Sequence, residues 1–359
     1  MKQTVYLLAI LAASSSFFSC GQRKNSFEIK NGINISHWLS QSAQRGENRK
    51  AYFTRSDVAY IAGLGYDHIR IPIDEEQMFT EDGKKEPEAF ALLHDALGWC
   101  AEFDLRAVVD LHILRSHHFN AAEKPLFTDV KAQEKFYECW RKISGELSKY
   151  SVNRVAYEPM NEPVADDPET WNVIINRCIE AIRELEPKRT IIAGSNRWQN
   201  FATVKDLKIP ENDPNIIISF HYYEPFLLTH YKASWTHLRD IDVPVHYPGQ
   251  LIADADLDSA GNHAASGKNI CNIDVIESNF LQVVEVAKKY RLNIYCGEYG
   301  CIHGAPEEDK IRWYHDLYTL FERYGIARAN WDYKGGFGII RRGEPQTEMT
   351  RAILGGVRK

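Results

Sequence analysis

Two glutamates lie four positions apart in the segment VAYEPMNEP, residues 155–163, and another lies in CGEYG, residues 296–300. Paired carboxylates can cleave a glycosidic bond, because one protonates the leaving oxygen while the other attacks the sugar or activates water. The first segment is typical of a strand, and a rise of about 3.3 Å per residue would separate Glu158 from Glu162 by roughly 13 Å. Cooperating carboxylates are about 5–5.5 Å apart in retaining enzymes and about 6.5–9.5 Å apart in inverting ones. Glu158 and Glu162 are therefore not each other's partner.

Glu162 and Glu298 form the better candidate pair. Glu162 stands where a following proline ends the regular strand, and Glu298 is flanked by glycines that allow a sharp turn. Glu158 lies deeper in the predicted strand, where a carboxylate needs a counter-charge to stay ionised. Arg70 is the nearest candidate by topology, so we expect Glu158 to have a structural role.

The elements that must position these carboxylates follow a regular alternation of short β-rich segments and longer amphipathic segments. The strand candidates are 31–38, 67–73, 106–112, 154–162, 190–195, 216–223, 292–300 and 326–333. Segments such as 87–103 and 167–187 have the apolar spacing of helices. Helical crossovers imply parallel strands, and eight such units predict a single (β/α)8 TIM barrel. A doubly wound open sheet is the alternative, but no glycine-rich nucleotide loop follows an early strand.

In such a barrel, the carboxyl ends of the strands form the active site. The predicted strand ends bring these residues to one rim: His37, Trp38, Arg70, His112, Asn161, Glu162, Ser195, His221, Tyr223, Glu298, Trp331 and Asp332. The long aromatic connection from Pro225 to about Asp274 predicts either a wall of the cleft or a separately packed surface excursion. His112, His117 and His118 could imitate a metal site, but no carboxylate falls at ligand spacing. We expect no metal and no other cofactor.

The whole set resembles glycoside hydrolase family 5, the cellulase-type retaining enzymes whose two glutamates follow strands four and seven of a barrel. The resemblance extends from Gly32 to Gly336 and matches eight active-site positions: Arg70, His112, Asn161, Glu162, His221, Tyr223, Glu298 and Trp331. It implies that Glu162 is the general acid and base and that Glu298 is the nucleophile.

The resemblance also implies how the remaining positions act. Arg70 and Tyr223 would keep Glu298 anionic, while the charge of Glu298 raises the pKa of Glu162. Asn161 would bind the 2-hydroxyl of the sugar, and Trp331 would lie under the reacting ring. The expected substrate-binding residues are Arg70, His112, Asn161, His221, Tyr223, Trp331, His37 and Trp38. Contacts from Asp332, Lys334 and the long aromatic loop would then help to set the sugar and the linkage.

Composition and the amino terminus indicate an exported protein that acts on a neutral substrate. The chain has 359 residues, a net charge of -6 and a pI near 6.1, which weighs against a nucleic-acid partner. Residues 1–19 are typical of a signal peptide, and Cys20 follows a lipobox-like segment. We expect a tether over 20–27 with Cys20 lipidated, then a barrel domain over 28–359. The protein would be anchored to the bacterial outer membrane, or otherwise secreted.

These observations predict a retaining endo-β-glycanase, foremost an endo-β-1,4-glucanase that acts as a monomer on β-glucan or a related polysaccharide. A β-mannanase or another β-glucanase on the same scaffold is the first alternative. A catalytically inactive glycan-binding lipoprotein is the alternative from another class, although two intact glutamates argue against it. The six cysteines after Cys20 show no metal or redox spacing, and no disulfide pair is predicted.

Overall fold

The fold of the computed structural model, which describes residues 25–257 and 269–356, is a closed barrel of eight parallel strands. The strands are β1 Asn31–Asn34, β2 His68–Asp74, β3 Arg106–Ile113, β4 Val155–Glu158, β5 Ile191–Gly194, β6 Ile216–Tyr222, β7 Asn293–Tyr299 and β8 Ala327–Asn330. They follow one another around the ring in chain order, and β8 pairs with β1. The predicted (β/α)8 barrel is confirmed.

Helices connect the strands on the outside of the barrel. The α-helices of the described residues include Glu47–Tyr52, Arg55–Gly63, Glu75–Met78, Pro87–Glu102, Val130–Leu147, Pro168–Leu185, Phe226–Thr229, Ile273–Tyr290, Glu307–Tyr324 and Thr347–Ile353. The segment Asn196–Gln199 is a turn whose backbone is left-handed at three positions. Short 3-10 helices cover Pro125–Phe127, Phe201–Asp206 and Asp254–Asp256. Among the residues described, no helix combines the length and the apolar character needed to cross a membrane.

The helix Pro168–Leu185 illustrates how closely the sequence specifies these crossovers. Its N-cap is Asp167, whose side chain accepts a hydrogen bond from the backbone of Glu169 at 3.2 Å, and a proline occupies its first turn. Its apolar face includes Trp171, which is 1% exposed and packs toward the barrel. The predicted bounds of 167–187 differ from the observed ones by at most two residues.

The barrel has a large apolar layer between strands and helices and a smaller cluster inside the ring. The smaller cluster consists of Phe27, Val108, Ala156, Ile192, Ile217, Tyr295 and Ala329. Phe27 is 1% exposed, and Asn25 accepts a hydrogen bond from the Thr190 hydroxyl at 2.8 Å. Both residues fall within the predicted tether over 20–27, yet they pack against the barrel. The predicted signal peptide and Cys20 lie outside the described residues.

Three strands end three or four residues earlier than the sequence predicts, and this changes where the functional side chains stand. β1, β4 and β8 end at Asn34, Glu158 and Asn330 rather than at residues 38, 162 and 333. The backbone leaves the ladder beyond these points, with positive φ values of 55° at His37 and 46° at Glu162. Glu162 is therefore presented by a loop that follows β4, not by the strand itself.

The long connection between β6 and β7 is partly packed against the barrel helices and partly exposed, so it has features of both a cleft wall and a separately packed excursion. Tyr247 is 1% exposed and its hydroxyl donates to Asp316 at 2.6 Å, which fixes one part of the connection against the helix Glu307–Tyr324. A two-stranded antiparallel pair, Gly249–Gln250 with Ile270–Cys271, adds local structure. Trp235, by contrast, is 60% exposed.

Candidate active site

The strand register assembles a polar layer at the carboxyl end of the barrel. Asn34 pairs with Arg70 between β1 and β2, Asp110 with Glu158 between β3 and β4, and His221 with Glu298 between β6 and β7. Paired residues on neighbouring strands point to the same face of a sheet. The layer therefore brings three carboxylates into a buried space that requires a counter-charge.

Arg70 supplies that charge from the centre of the layer. Its guanidinium is fully buried and lies 2.7 Å from Glu158, 2.8 Å from Glu298 and 3.0 Å from Asp110. It also donates to the amide oxygens of Asn34 and Asn161, both at 2.9 Å. Burial alone would lower the pKa of Arg70, but the three carboxylates raise it well above its usual value. The expected structural role of Glu158 agrees with this geometry.

Glu298, on β7, is held by two donors. One carboxylate oxygen accepts from Arg70 at 2.8 Å, and the other accepts from the Tyr223 hydroxyl at 2.9 Å. Burial raises the pKa of Glu298, while Arg70 and the Tyr223 hydrogen bond oppose that rise. These contacts favour an anionic carboxylate at the position predicted for the nucleophile.

Glu162 has a different environment. Its Oε1 lies 2.9 Å from Nδ1 of His221, and its backbone N–H donates to the side chain of Gln199 at 2.9 Å. Burial raises the pKa of Glu162 well above its usual range, and the negative charge of Glu298 adds to the effect. Burial also lowers the pKa of His221 far below its usual value, with Arg70 contributing. Because the His221 ring is neutral and the pKa of Glu162 is raised, Glu162 is expected to be protonated.

The two carboxyl groups are close enough to act on one bond. An oxygen of Glu162, an oxygen of Glu298 and a ring nitrogen of His221 all lie within 4.8 Å of one another. This separation is near the value for retaining glycosidases and well below the range for inverting ones. The same three groups could in principle hold a cation, but the Arg70 guanidinium already neutralises Glu298 from 2.8 Å.

A histidine and a tryptophan form the aromatic part of the site. The rings of His112 and Trp331 are nearly parallel, with centroids 5.7 Å apart and an angle of 7° between their planes. Nδ1 of His112 lies 2.7 Å from Asp110, and burial lowers the pKa of His112 to about 3. A neutral, fixed imidazole can exchange hydrogen bonds with a sugar hydroxyl.

The structure corrects one predicted substrate contact and places the other at the rim. Trp38 is 1% exposed, its indole N–H donates to the backbone of Arg49 at 2.9 Å, and it packs on Phe53 with ring centroids 5.1 Å apart. It belongs to the hydrophobic core and does not offer a face to a sugar. His37 is exposed.

Two further rim residues, Lys334 and Asp332, have partners within the protein. Lys334 pairs with Asp57 at 2.8 Å, and Asp332 is fully buried with a hydrogen bond from Ser36, so both stabilise the loop after β8. The six cysteines after Cys20 are free and buried.

Sequence reasoning missed Asp110, Asn34 and Gln199. Asp110 could have been found, because it lies two positions before His112 and strand residues of that spacing share a face. Asn34 could have been found from its place opposite Arg70 once strand order was known. Gln199 gave no comparable signal, since it belongs to a short turn with left-handed backbone after β5.

A closed (β/α)8 barrel with two glutamates facing each other across its carboxyl rim defines the class of retaining glycoside hydrolases. Residues 26–336 match the cellulase family, glycosyl hydrolase family 5, and the chain belongs to that family. Endoglucanase C of Acetivibrio thermocellus is 30% identical over 318 residues, 85% of this chain and 91% of that protein. Cellodextrinase A of Ruminococcus flavefaciens is 30% identical over 304 residues, 84% of each chain.

Solved structures agree with the fold. A hyperthermophilic endo-beta-1,4-glucanase in complex with substrate superposes with a TM-score of 0.76 at 26% identity, covering 91% of this chain and 97% of that one. Thermotoga maritima Cel5A in complex with cellobiose gives a TM-score of 0.74 at 23% identity over 90% and 97% of the two chains. At that lower identity the likeness supports the barrel alone.

Proposed function

We propose that this protein is a retaining endo-β-1,4-glucanase that cleaves a β-glucan by double displacement. The observation that carries the proposal is the pair Glu162 and Glu298, whose carboxylate oxygens lie within 4.8 Å of each other. The chain around them belongs to glycosyl hydrolase family 5. Relatives named endoglucanase and cellodextrinase support β-1,4-glucan as the substrate.

The unequal surroundings of the two glutamates support their separate roles. Glu298, neutralised by Arg70, attacks the anomeric carbon, forming a covalent glycosyl-enzyme as the bond to the leaving oxygen breaks. Glu162 donates its proton to that oxygen and later removes a proton from the water that releases the sugar. Asn161, fixed by Arg70 at 2.9 Å, is suited to bind the 2-hydroxyl. Trp331 provides a flat face for the pyranose.

A panel of polysaccharides tests the substrate. Purified enzyme should release reducing ends from carboxymethylcellulose and mixed-linkage β-glucan, and it should lower the viscosity of carboxymethylcellulose early in the reaction, because internal cuts shorten the polymer quickly. Glu298→Gln is the control and should be inactive on every member while keeping its fold and its affinity for cello-oligosaccharides. Faster hydrolysis of mannan would instead make the protein a β-mannanase. Wild-type binding with no hydrolysis of any member would favour a glycan-binding lipoprotein.

The sequence of the amino terminus supports export and lipid attachment at Cys20. Expression in a bacterial host with labelled palmitate should label the wild type and leave Cys20→Ser unlabelled, and the variant should appear in the soluble fraction. Soluble, unlabelled wild type would indicate plain secretion.

A further inference from the structure

We propose that Gln199 is a positioning residue for the general acid, and that the loop which carries it sets the distance between the two catalytic carboxylates. This loop, residues 195–199, follows β5. The inference rests on the acid–base role proposed for Glu162. The loop after the fifth strand thereby takes part in catalysis, although the side chains of that strand do not indicate it.

Gln199 is fully buried and uses both ends of its amide. Its oxygen accepts from the backbone N–H of Glu162 at 2.9 Å. Its nitrogen donates to Glu158 at 3.0 Å and to the Ser219 hydroxyl at 3.3 Å. The orientation of the amide is fixed chemically, since the backbone N–H of Glu162 can only donate and so must face the amide oxygen.

These contacts connect the two catalytic glutamates through buried hydrogen bonds. Glu298 binds Arg70 at 2.8 Å, and Arg70 binds Glu158 at 2.7 Å. Glu158 then binds Gln199 at 3.0 Å, and Gln199 binds the main chain of Glu162 at 2.9 Å. The loop that carries the acid is thereby tied to the counter-ion of the nucleophile. Glu158 does not face the substrate; its function in this scheme is to link Arg70 to Gln199.

The rest of the loop reinforces the attachment. Asn196 exchanges two hydrogen bonds with the backbone of Ala165, at 2.8 and 2.9 Å. The backbone of Trp198 donates to Pro163 at 3.3 Å, and Arg197 donates to the carbonyl of Asp166 at 3.0 Å. Each residue from 196 to 199 thus contacts a residue between 162 and 166.

The backbone on both sides of this contact is left-handed. The φ values are 56° at Arg197, 61° at Trp198, 51° at Gln199 and 46° at Glu162. Such values are uncommon outside glycine and persist where the surroundings hold them in place. The loops would therefore relax toward other conformations if the contacts between them were removed.

Gly194 provides a separate indication that the place of Gln199 is built into the barrel. A Cβ atom on Gly194 would lie 2.0 Å from the amide nitrogen of Gln199 and 2.4 Å from its amide carbon. Only glycine leaves the space that the amide occupies. Ser219, on the neighbouring strand β6, supplies the third partner of the same amide.

The leaving group distinguishes positioning of the acid from general support of the fold. Departure of a sugar needs a proton from Glu162, whereas departure of 2,4-dinitrophenolate does not. We expect Gln199→Met and Gln199→Ala to lower kcat/KM for cellotetraose by about tenfold or more, since small displacements of catalytic groups cost large factors. The same variants should lose at most about threefold on 2,4-dinitrophenyl β-cellobioside.

Asn172→Ala is the matched control. Asn172 is a buried amide that donates to the backbone of Asp206 and accepts from that of Lys208, both at 2.9 Å, on the outer helix Pro168–Leu185. It should affect both substrates equally or not at all. An equal loss on both substrates in Gln199→Met would overturn the positioning role. If Glu162→Gln itself showed no selectivity for the leaving group, the proposed acid would be wrong, whatever the Gln199 variants did.

Discussion

Glu162 and Glu298 approach within 4.8 Å of each other, yet of these two carboxyl groups it is Glu298 that forms an ion pair with Arg70. His221 lies between the two carboxyl groups, with its Nδ1 2.9 Å from Glu162 and 3.6 Å from Glu298. The unequal distribution of charge is what separates a proton donor from an anion in a shared pocket. It also leads to predictions about titration, rescue and stability.

The pKa of Glu162 should fall when Glu298 loses its charge. In Glu298→Gln the negative neighbour is gone, while burial continues to hold the pKa of Glu162 above its ordinary value. NMR titration of 13C-labelled carboxyl groups would measure the change, with the resonance assigned through Glu162→Gln. The kcat/KM of the wild type should fall at high pH, where Glu162 loses its proton, and at low pH, where Glu298 gains one. An unchanged Glu162 titration in Glu298→Gln would contradict the charge coupling.

Azide should rescue the loss of the acid–base residue and not the loss of the nucleophile. In Glu162→Ala, an aryl cellobioside with a good leaving group should still form the glycosyl-enzyme, after which azide enters where water would be activated. The product should be a β-glycosyl azide, because two inversions give retention. NMR of the product checks the anomer. An α-azide, or rescue found only in Glu298→Ala, would reverse the assignment of roles.

The site should cost stability, and replacing the titratable carboxyl group of Glu162 with an amide should recover part of that stability. Folding raises the pKa of Glu162, so the native state loses stability as pH rises from the unfolded value of about 4.5 toward the folded one. Glu162→Gln escapes that loss and should melt about 1–3 °C higher at pH 7. The difference should vanish below about pH 4, where the carboxyl group is protonated in both states. Calorimetry at several pH values measures it; a Tm gain independent of pH would point to another cause.

The order of strands and helices could be read from the sequence because it depends on local periodicity. The helix Pro168–Leu185 is predicted within two residues, since a capping aspartate and a proline in the first turn act locally. β2 and β3 were likewise predicted within one residue of their observed ends. The (β/α)8 closure then follows from the number of repeating units.

The positions of the side chains at the carboxyl rim could not be predicted from local sequence. Glu162 was placed on a strand that stops at Glu158, because the left-handed turn that presents it depends on contacts with the loop after β5. Trp38 and Gln199 show the same limit. Whether a tryptophan near a strand end faces a substrate or the core, and whether a glutamine reaches another loop, depends on packing between segments distant in sequence.

Trp235 should bind a distant sugar of a long substrate. It is 60% exposed and contacts Phe337 at 6.3 Å between ring centroids, and Phe337 contacts Tyr223 at 6.1 Å. Tyr223 holds Glu298, so the exposed indole lies two aromatic contacts from the reacting centre. Trp235→Ala should raise KM for cellohexaose about tenfold, through lost apolar contact worth about 1.4 kcal/mol, while leaving an aryl cellobioside unaffected. Tyr60→Ala removes another exposed aromatic, on the helix Arg55–Gly63, and should change neither KM. Equal effects of Trp235→Ala on the short and long substrates would place the indole outside the sugar path.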